Sequence, residues 1–474
     1  MEWKKLLSPK RVGNYTKGNN RSGDLRSEFE KDYHRIIGSS SFRRLQDKTQ
    51  VFALDKSDFI RTRLTHSLEV SSFAKSLGQN IAQYIIANKT DPDFTLQTKS
   101  DVCDILQCAG LIHDLGNPPF GHFGEEAIRD WFVRNLGNLE FKGEPVTSLL
   151  TKQMLEDFYH FEGNAQALRQ VSKLHFLVNE YGMNLTYALL NTIIKYPVSS
   201  ENICPESGNI WEKKMGFFYA EQSLYETISE EMDTTGKRHP LTFILEAADD
   251  IAYRTADIED AFKKGCISYE KLREELMNAG RAAGEGADFS SLDPVAMLEH
   301  QFDNAIKRNV SNPQLYAVQN FLVRLQSALI FCATKGFTDN YVGIMEGVYA
   351  HDLFYKTSGD WVMKALGDIA YRYAFISRPI LQMEVSAGSI LNFLMDRFVP
   401  AVLNYNTDVP LKMMEKKLVA LISENYRQIY HLYAQNCGSE VEKLYLRLLL
   451  VTDFVSGMTD SYAKDLYQKL NGIS

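Results

Sequence analysis

Apolar residues recur with helical spacing along almost the whole of this 474-residue chain, and this feature constrains the fold more than any other. Between residues 60 and 88 one helix face carries Leu64, Leu68, Leu77, Ile81 and Ile85. Segments 99–114, 240–265, 321–331 and 440–454 repeat the pattern. Alternating patterns with hairpin signals are scarce, so the sequence predicts an all-α protein.

Three segments interrupt the helical spacing. Residues 113–125 contain paired prolines and three glycines, which predicts a loop after a helix. Residues 196–216 are polar and irregular, and residues 279–294 are rich in glycine and poor in apolar side chains. We therefore predict a basic N-terminal arm over 1–42, a catalytic core over 43–278 and a linker-like loop over 279–294. A C-terminal helical region packed on the core follows over 295–474.

Composition narrows the class of protein. Hydrophobic residues make up 45% and charged residues 24% of the chain, as in ordinary globular proteins. The sequence has neither a run of about 18 apolar residues nor the features of a signal peptide, so we expect a cytoplasmic protein without a membrane span. The six cysteines lack CxxC spacing, which favours reduced thiols over a disulfide framework.

The formal net charge of −8 argues against a general attraction of the protein surface to nucleic acid. Basic residues are nevertheless frequent in the first fifty positions. This segment is either a solvated arm or a local binding patch for single-stranded DNA, and the sequence leaves both open.

Four ionisable residues lie against apolar helical segments. His113 and Asp114 end a hydrophobic helix, His66 lies on an earlier one, and Asp249 is flanked by alanines and isoleucine. An unpaired carboxylate is costly to bury in such surroundings, and a metal ion would relieve that cost. Each residue alone has an ordinary explanation as a surface or core side chain. Together they form a mixed nitrogen and oxygen shell, which indicates a metal phosphohydrolase.

Further polar residues flank these four. His122 and Glu125 are three positions apart, and a histidine backed by a carboxylate suits acid–base catalysis. The alternative is a histidine at a helix start with no catalytic role. Tyr253 and Asp257 follow Asp249 at i+4 and i+8, so all three share one helix face. That face either lines the same cavity or is solvated.

Two more clusters precede or follow these motifs. The segment HFEGN contains His160 and Asn164. Arg61 and Arg63 precede the first histidine of the four, and their guanidinium groups suit either a phosphate chain or surface ion pairs.

The motifs occur in an order that resembles a known family. The segments RRLQDKTQVF, RTRLTHSLEV, HDLGNPPFGHFGE, HFEGNAQ, EAADDIAY and SGMTDSYAKDLY together resemble the bacterial dGTP triphosphohydrolases, a branch of the HD superfamily. The resemblance runs from about residue 43 to 262 and returns at 452–470. Residues 280–440 match no motif of the family.

The resemblance implies an HD-type helical core and cleavage of a deoxynucleoside triphosphate at the α-phosphorus, which releases deoxynucleoside and inorganic triphosphate. It implies a divalent metal ion, Mn or Mg before Fe, Co, Ni or Zn, held by His66, His113, Asp114 and Asp249. His122 and Glu125 would be the catalytic acid–base pair. Asn117 stands where a related branch has a second loop histidine, so catalysis here would depend on His122.

The resemblance also implies substrate contacts and assembly. The implied substrate-binding residues are Gln50, Arg63, His160, Asn164, Lys195, Tyr253 and Asp257. Tyr253 and Asp257 look like residues that face the sugar, and Arg63 and Lys195 look like phosphate ligands. Preference for dGTP comes from the resemblance alone. The family further implies a homo-oligomer, commonly a hexamer, and in some members binding of single-stranded DNA.

Two alternatives remain at this point. The chain could be another HD phosphohydrolase, such as a nucleotidase or a hydrolase of cyclic nucleotides or alarmones. It could also be a nucleotide-binding or single-stranded-DNA-binding protein on an HD scaffold. The second is disfavoured because every metal position and the acid–base pair are filled.

Overall fold

The computed structural model describes residues 1–13, 24–50, 61–175, 180–284 and 291–473, and it confirms the all-α prediction, being 71% helical. The first half of the chain contains α1 (Trp3–Leu6), α2 (Glu28–Ile37), α3 (Ser40–Arg44), α4 (Arg63–Asn88), α5 (Leu96–Ile112), α6 (Gly121–Asn135), α7 (Val146–Leu149), α8 (Lys152–Tyr159), α9 (Gly163–Arg169), α10 (Tyr187–Ile193) and α11 (Gln222–Met232). A short antiparallel pair, β1 (Glu140–Phe141) and β2 (Glu144–Pro145), lies between α6 and α7.

The second half begins with the long helix α12 (Pro240–Lys263). It continues with α13 (Tyr269–Ala283), α14 (Pro294–Lys307), α15 (Pro313–Asp339), α16 (Tyr341–Glu346), α17 (Asp360–Ala370), α18 (Arg378–Val402), α19 (Met413–Leu421), α20 (Glu424–Asn436), α21 (Glu440–Ser456) and α22 (Asp460–Leu470). The region predicted as a linker-like loop over 279–294 overlaps the end of α13, up to Ala283, and the first residue of α14, Pro294. Residues 285–290 lie outside the described residues.

The α4–α5 pair forms the centre of the catalytic half, and α12 packs against both helices. Threonines begin both helices of the pair: the side chains of Thr62 and Thr95 accept hydrogen bonds from backbone amides in the first turn. The two helices approach closely where Gly110 faces Ser71, because a Cβ atom on Gly110 would come within 2.5 Å of the Ser71 backbone. This contact lies one turn before His113 and fixes that end of α5 beside α4.

Two hydrophobic cores organise the molecule. The first contains side chains from α4, α5 and α12 together with α13, α15 and α17. The second contains side chains from α6 and α8 packed against α18, α20, α21 and α22. The C-terminal half thus contributes to both cores, and α6 belongs to the second core while α5, which precedes it, belongs to the first.

A buried polar network stabilises the region between α9 and α21. Arg169 donates to both carboxylate oxygens of Asp453 at 2.7 Å and to Glu221 at 2.8 Å. Gln166 donates to the same aspartate at 2.9 Å. All four side chains are buried, so each charge depends on its partner for stabilisation.

The N-terminal segment is not a free arm over its described residues. Trp3 and Leu6 are buried in the first core, and the Arg11 guanidinium is buried against Asp32 at 2.5 Å and Glu28 at 2.9 Å. Lys17 and Arg21, part of the predicted basic patch, lie outside the described residues. These ion pairs of the buried Arg11 side chain tie residues 1–13 to α2.

Helix α15 is long and apolar enough to cross a membrane by length and composition. It packs against α4, α12 and α14, and Phe321, Leu325 and Leu329 are buried in the first core. Core helices of proteins outside membranes pass the same test, so this helix is weak support for a span.

We expect Asp453→Asn to lower the free energy of unfolding by about 3–5 kcal/mol, because it removes one partner of a buried ion pair and leaves the Arg169 charge under-compensated. Urea denaturation of the full chain measures this change. Asp303→Asn, at an exposed position of α14, is the control and should change the value by less than about 0.5 kcal/mol. Equal effects of the two substitutions would contradict the assignment.

Candidate metal centre and active site

Three of the four predicted metal ligands meet in one cluster. His66 comes from α4, His113 from the end of α5 and Asp249 from the middle of α12. One Asp249 oxygen lies 3.1 Å from Nε2 of His66 and 3.4 Å from Nε2 of His113. Within the described ranges, one ligand atom from each of the three residues lies within 4.8 Å of the others. This spacing suits a shared ion.

The histidine nitrogens are arranged as metal ligands require. Nδ1 of His113 is 2.8 Å from the Gly110 carbonyl oxygen, so the ring donates there and its Nε2 keeps a free lone pair. That Nε2 is buried and has no hydrogen-bond partner among the described residues. A buried nitrogen acceptor beside a carboxylate fits a divalent ion of the kind that nitrogen and oxygen donors bind.

Neighbouring charges shift the pKa values of His113 and Asp249 in opposite directions. Burial lowers the pKa of His113, but the carboxylates of Asp114 and Asp249 outweigh it and raise the pKa above its ordinary value. Burial raises the pKa of Asp249, yet Lys195 and His113 hold it well below its usual range. The aspartate therefore remains an anion. The ionised carboxylate is the form in which an aspartate can bind a metal ion.

Asp114, the fourth predicted ligand, lies next to the cluster with both oxygens engaged. Its Oδ2 accepts from Nη1 of Arg63 at 2.5 Å, and its Oδ1 accepts from Asn117 at 2.6 Å. Nε2 of His113 is 3.6 Å from Oδ1. Burial raises the pKa of Asp114, but Arg63 and His113 hold it well below its usual range. Asn117, which stands in the place of a second loop histidine, thus supports a cluster residue.

The two arginines before the first histidine have different surroundings. Arg61 forms ion pairs with Glu69, Glu259 and Asp260, which is the ion-pairing alternative that the sequence allowed. Arg63 is buried against Asp114, and in the part of the chain that the structure describes its Nε has no hydrogen-bond partner.

The loop predicted over 113–125 is shorter than expected. Helix α6 begins at Gly121, so His122 and Glu125 lie in its first turns and the prediction was wrong for the last five residues. Phe120 and Gly121 have φ angles of 66° and 65°. Two successive left-handed residues reverse the chain sharply, which lets a helix start directly after a proline-containing turn.

His122 and Glu125 form the pair predicted from their spacing. Nδ1 of His122 is 3.4 Å from a carboxylate oxygen of Glu125, and the other oxygen accepts from the Gly163 amide at 3.1 Å. The histidine side chain is 68% exposed whereas the glutamate is 1% exposed. The hydrogen bond to Glu125 raises the pKa of His122 above its ordinary value. The pair therefore presents a readily protonated imidazole to the open side.

The HFEGN segment divides into two parts. Asn164 donates to the buried carboxylate of Glu162 at 2.7 Å, beside the Gly163 amide that holds Glu125. His160 is instead at the end of α8, where it pairs with Glu156 at 3.2 Å and is 48% exposed. Among the described residues, no contact joins His160 to the cluster of His66, His113 and Asp249.

Lys214 is a site residue that the sequence did not single out. Its Nζ lies 2.9 Å from Glu162, and the charge of Glu125 contributes to raising its pKa despite opposing burial. It belongs to the irregular segment 196–216, where no helical spacing relates it to other residues. The one signal in the sequence is that this segment directly follows Lys195, a predicted phosphate ligand, and carries further lysines.

The remaining predicted substrate residues lie along α12 and at its edge. Lys195 donates to Asp249 at 3.0 Å. Tyr253 stacks on Phe375 with ring centroids 6.2 Å apart, beside a cavity of about 530 Å³. The cavity is lined in part by Asp250, Tyr253, Arg254, Asp257, Lys364 and Phe375.

Asp257 and Gln50 have buried oxygens that lack a hydrogen-bond partner among the described residues. The Asp257 side chain is almost fully buried, and burial raises its pKa well above its ordinary value. Gln50 precedes residues 51–60, which lie outside the described residues. Buried polar groups without partners are uncommon in proteins and often mark a place for a ligand or water.

An all-helical fold in which two histidines and an aspartate meet from three helices, with a second aspartate beside them, is typical of HD-type proteins. Residues 63–199 match the family model described as HD domain. A "deoxyguanosinetriphosphate triphosphohydrolase-like protein" of Listeria innocua is 45% identical over 100% of both chains. A "deoxyguanosinetriphosphate triphosphohydrolase" of Serratia proteamaculans is 32% identical over 94% of each chain. The chain belongs to the deoxyguanosinetriphosphate triphosphohydrolase family.

We expect Glu125→Gln to lower the pKa of His122, because the amide removes the negative charge that favours the imidazolium while keeping an oxygen for the Gly163 amide. The protonated form of His122 then gives way to the neutral form at lower pH. NMR titration of the histidine C2 protons measures this, with the signal assigned by its loss in His122→Ala. Glu126→Gln, one position along and exposed, is the control. An unchanged pKa in Glu125→Gln would refute the coupling.

Proposed function

We propose that the protein hydrolyses dGTP, with other deoxynucleoside triphosphates as further candidate substrates, to deoxynucleoside and inorganic triphosphate, contributing to control of dNTP pools. The observation that carries the proposal is the His122–Glu125 pair next to a cluster of histidine and aspartate. Arg63 links them, because it contacts Asp114 and its guanidinium lies against Gly121. The names of the full-length relatives supply the substrate.

In this proposal His66, His113, Asp114 and Asp249 hold a divalent ion, Mn or Mg before the other candidates. A bound ion supplies a Lewis acid that neutralises charge on the phosphate. The reaction breaks the bond between the α-phosphorus and the 5′-oxygen and adds water to the phosphorus. His122 exchanges a proton with the reacting oxygens, and Glu125 supports its charged form.

The other residues bind and orient the nucleotide. We assign Arg63, Lys195 and Lys214 to the triphosphate, since their cationic groups lie around the cluster and the acid–base pair. Tyr253 and Asp257 face the sugar from the next turns of α12. The remaining assigned contacts are Gln50, His160 and Asn164. Of these, His160 has the weakest support because its described partner is Glu156.

Assembly and location complete the proposal. We propose a cytoplasmic homo-oligomer, a hexamer as the family resemblance implies, which sedimentation of the purified full chain tests.

Binding of single-stranded DNA is proposed as a secondary property. Removing residues 1–25 would test it poorly, because Trp3, Leu6 and Arg11 are buried in the fold. Charge reversal at the exposed Lys4 and Lys5, assayed at several salt concentrations, leaves the core intact.

We expect inorganic triphosphate to be the phosphorus product when the protein is incubated with dGTP and Mn²⁺ or Mg²⁺. Chelation with EDTA should abolish turnover, and added metal should restore it. Chromatography of products from four dNTPs and four NTPs measures the reaction, the sugar preference and the base preference together. Orthophosphate or pyrophosphate as the product would indicate another HD phosphohydrolase. Tight nucleotide binding without any product would favour a binding protein.

We expect His122→Ala to lower kcat by about 10²–10⁴-fold, because general acid–base catalysis contributes that much, while Mn²⁺ affinity stays unchanged. Steady-state kinetics and calorimetric titration of the metal measure the two effects. His300→Ala, at an exposed position of α14, is the matched control and should behave as the unaltered protein. Retained turnover in His122→Ala would show that the acid–base assignment is wrong.

A further inference from the structure

Asp460, the first residue of α22, binds two segments that are remote from it in sequence. One carboxylate oxygen accepts from the Phe120 amide at 2.9 Å. The other accepts from the Thr49 amide at 3.0 Å and from the Thr49 hydroxyl at 2.5 Å. The aspartate is 2% exposed, so these protein donors rather than water satisfy its charge.

The two segments both reach the active site. Thr49 directly precedes Gln50, whose side-chain oxygen is buried without a partner. Phe120 directly precedes the turn into α6, and its left-handed φ of 66° is an unfavourable conformation for a residue with a side chain. His122 follows two residues later. Asp460 therefore accepts from the amide of a left-handed residue that lies two positions before His122.

Asp460 does not serve as the cap of its own helix. The side chain of Thr459 fills that role by accepting from the Tyr462 amide. The carboxylate of Asp460 is thus directed entirely to other parts of the chain. This segment, SGMTD, is one of the motifs by which the sequence resembles its family, and the assigned catalytic and substrate contacts make no use of it.

A second tie joins the same elements. Lys48 is buried and donates to the carbonyl oxygens of Asn117 at 2.5 Å and of Ser456 at 2.7 Å. Asn117 lies in the turn before α6, and Ser456 is the last residue of α21. The junction of α21 and α22 is therefore bonded to both sides of the turn that leads to His122.

We propose that Asp460 is a positioning residue for the acid–base pair: through the Phe120 amide it sets the direction of the first turn of α6, and through Thr49 it holds Gln50 beside that turn. The inference rests on the proposed function, because it assigns His122 to catalysis. Asp460 touches no reacting atom and acts only through these neighbours.

The test is Asp460→Asn in the full chain, which keeps the shape of the side chain but replaces one acceptor oxygen by an amide donor and removes the charge. We expect kcat for dGTP to fall by about 10–100-fold, as small misplacements of a catalytic group do. The Mn²⁺ dissociation constant should stay within about twofold, because the cluster residues do not contact Asp460. Asp465→Asn, exposed on the same helix, is the matched control and should leave kcat unchanged.

A double-mutant cycle with His122→Ala separates positioning from general weakening of the fold. If Asp460 acts through His122, Asp460→Asn should change the residual kcat of His122→Ala by less than about threefold. Multiplicative losses in the double variant would overturn the inference. So would a kcat of Asp460→Asn within about twofold of the unaltered protein. Should Asp460→Asn fail to fold, Asp460→Glu keeps the charge but displaces the carboxylate by one methylene group, and this displacement should give the same fall in kcat.

Hydrogen exchange distinguishes failure of this inference from failure of the proposed function. If the unaltered protein releases triphosphate from none of the dNTPs, the proposed function fails. Exchange then tests the positioning alone, through peptides that contain Phe120. Faster exchange there in Asp460→Asn, but not in Asp465→Asn, supports the tie, and equal exchange in the two variants overturns it.

Discussion

The close approach of α4 and α5 is the constraint on which the site depends. Only a residue without a side chain fits at Gly110, where the backbone of Ser71 lies against it. The same glycine accepts from the ring of His113 and fixes which nitrogen of that ring faces the cluster. Packing and ligand orientation therefore come from one position. Asp249 then completes the cluster from α12, which packs against both helices.

The helices and the meeting of His66, His113 and Asp249 could be predicted from the sequence. Spacing reveals helix faces, and ionisable residues among apolar ones indicate ligands of a shared ion. The partner of each side chain could not be predicted. Arg61 and Arg63 are two residues apart, yet one pairs with α12 and the other with Asp114. Such pairing depends on tertiary contacts. Lys214 could not be predicted for the same reason, because it contacts Glu162 from an irregular segment.

The start of α6 was misjudged for a different reason. Glycine and proline in HDLGNPPFGHFGE are typical of a loop, but two left-handed residues allow a helix to begin within the motif. The proposed acid–base pair consequently belongs to a helix that packs in the second core, while the proposed metal ligands belong to helices of the first. The candidate active site lies where the two cores meet, which explains why residues from both ends of the chain contribute to its support.

The buried carboxyl group of Asp257 has a consequence for how the cavity beside α12 recognises a ligand. Burial raises its pKa well above the ordinary range and so favours the protonated form of the group. A protonated carboxyl is both a donor and an acceptor, so it could bind a hydroxyl group in either orientation. A contact of this kind depends on hydrogen-bond geometry rather than on the charge of Asp257 itself.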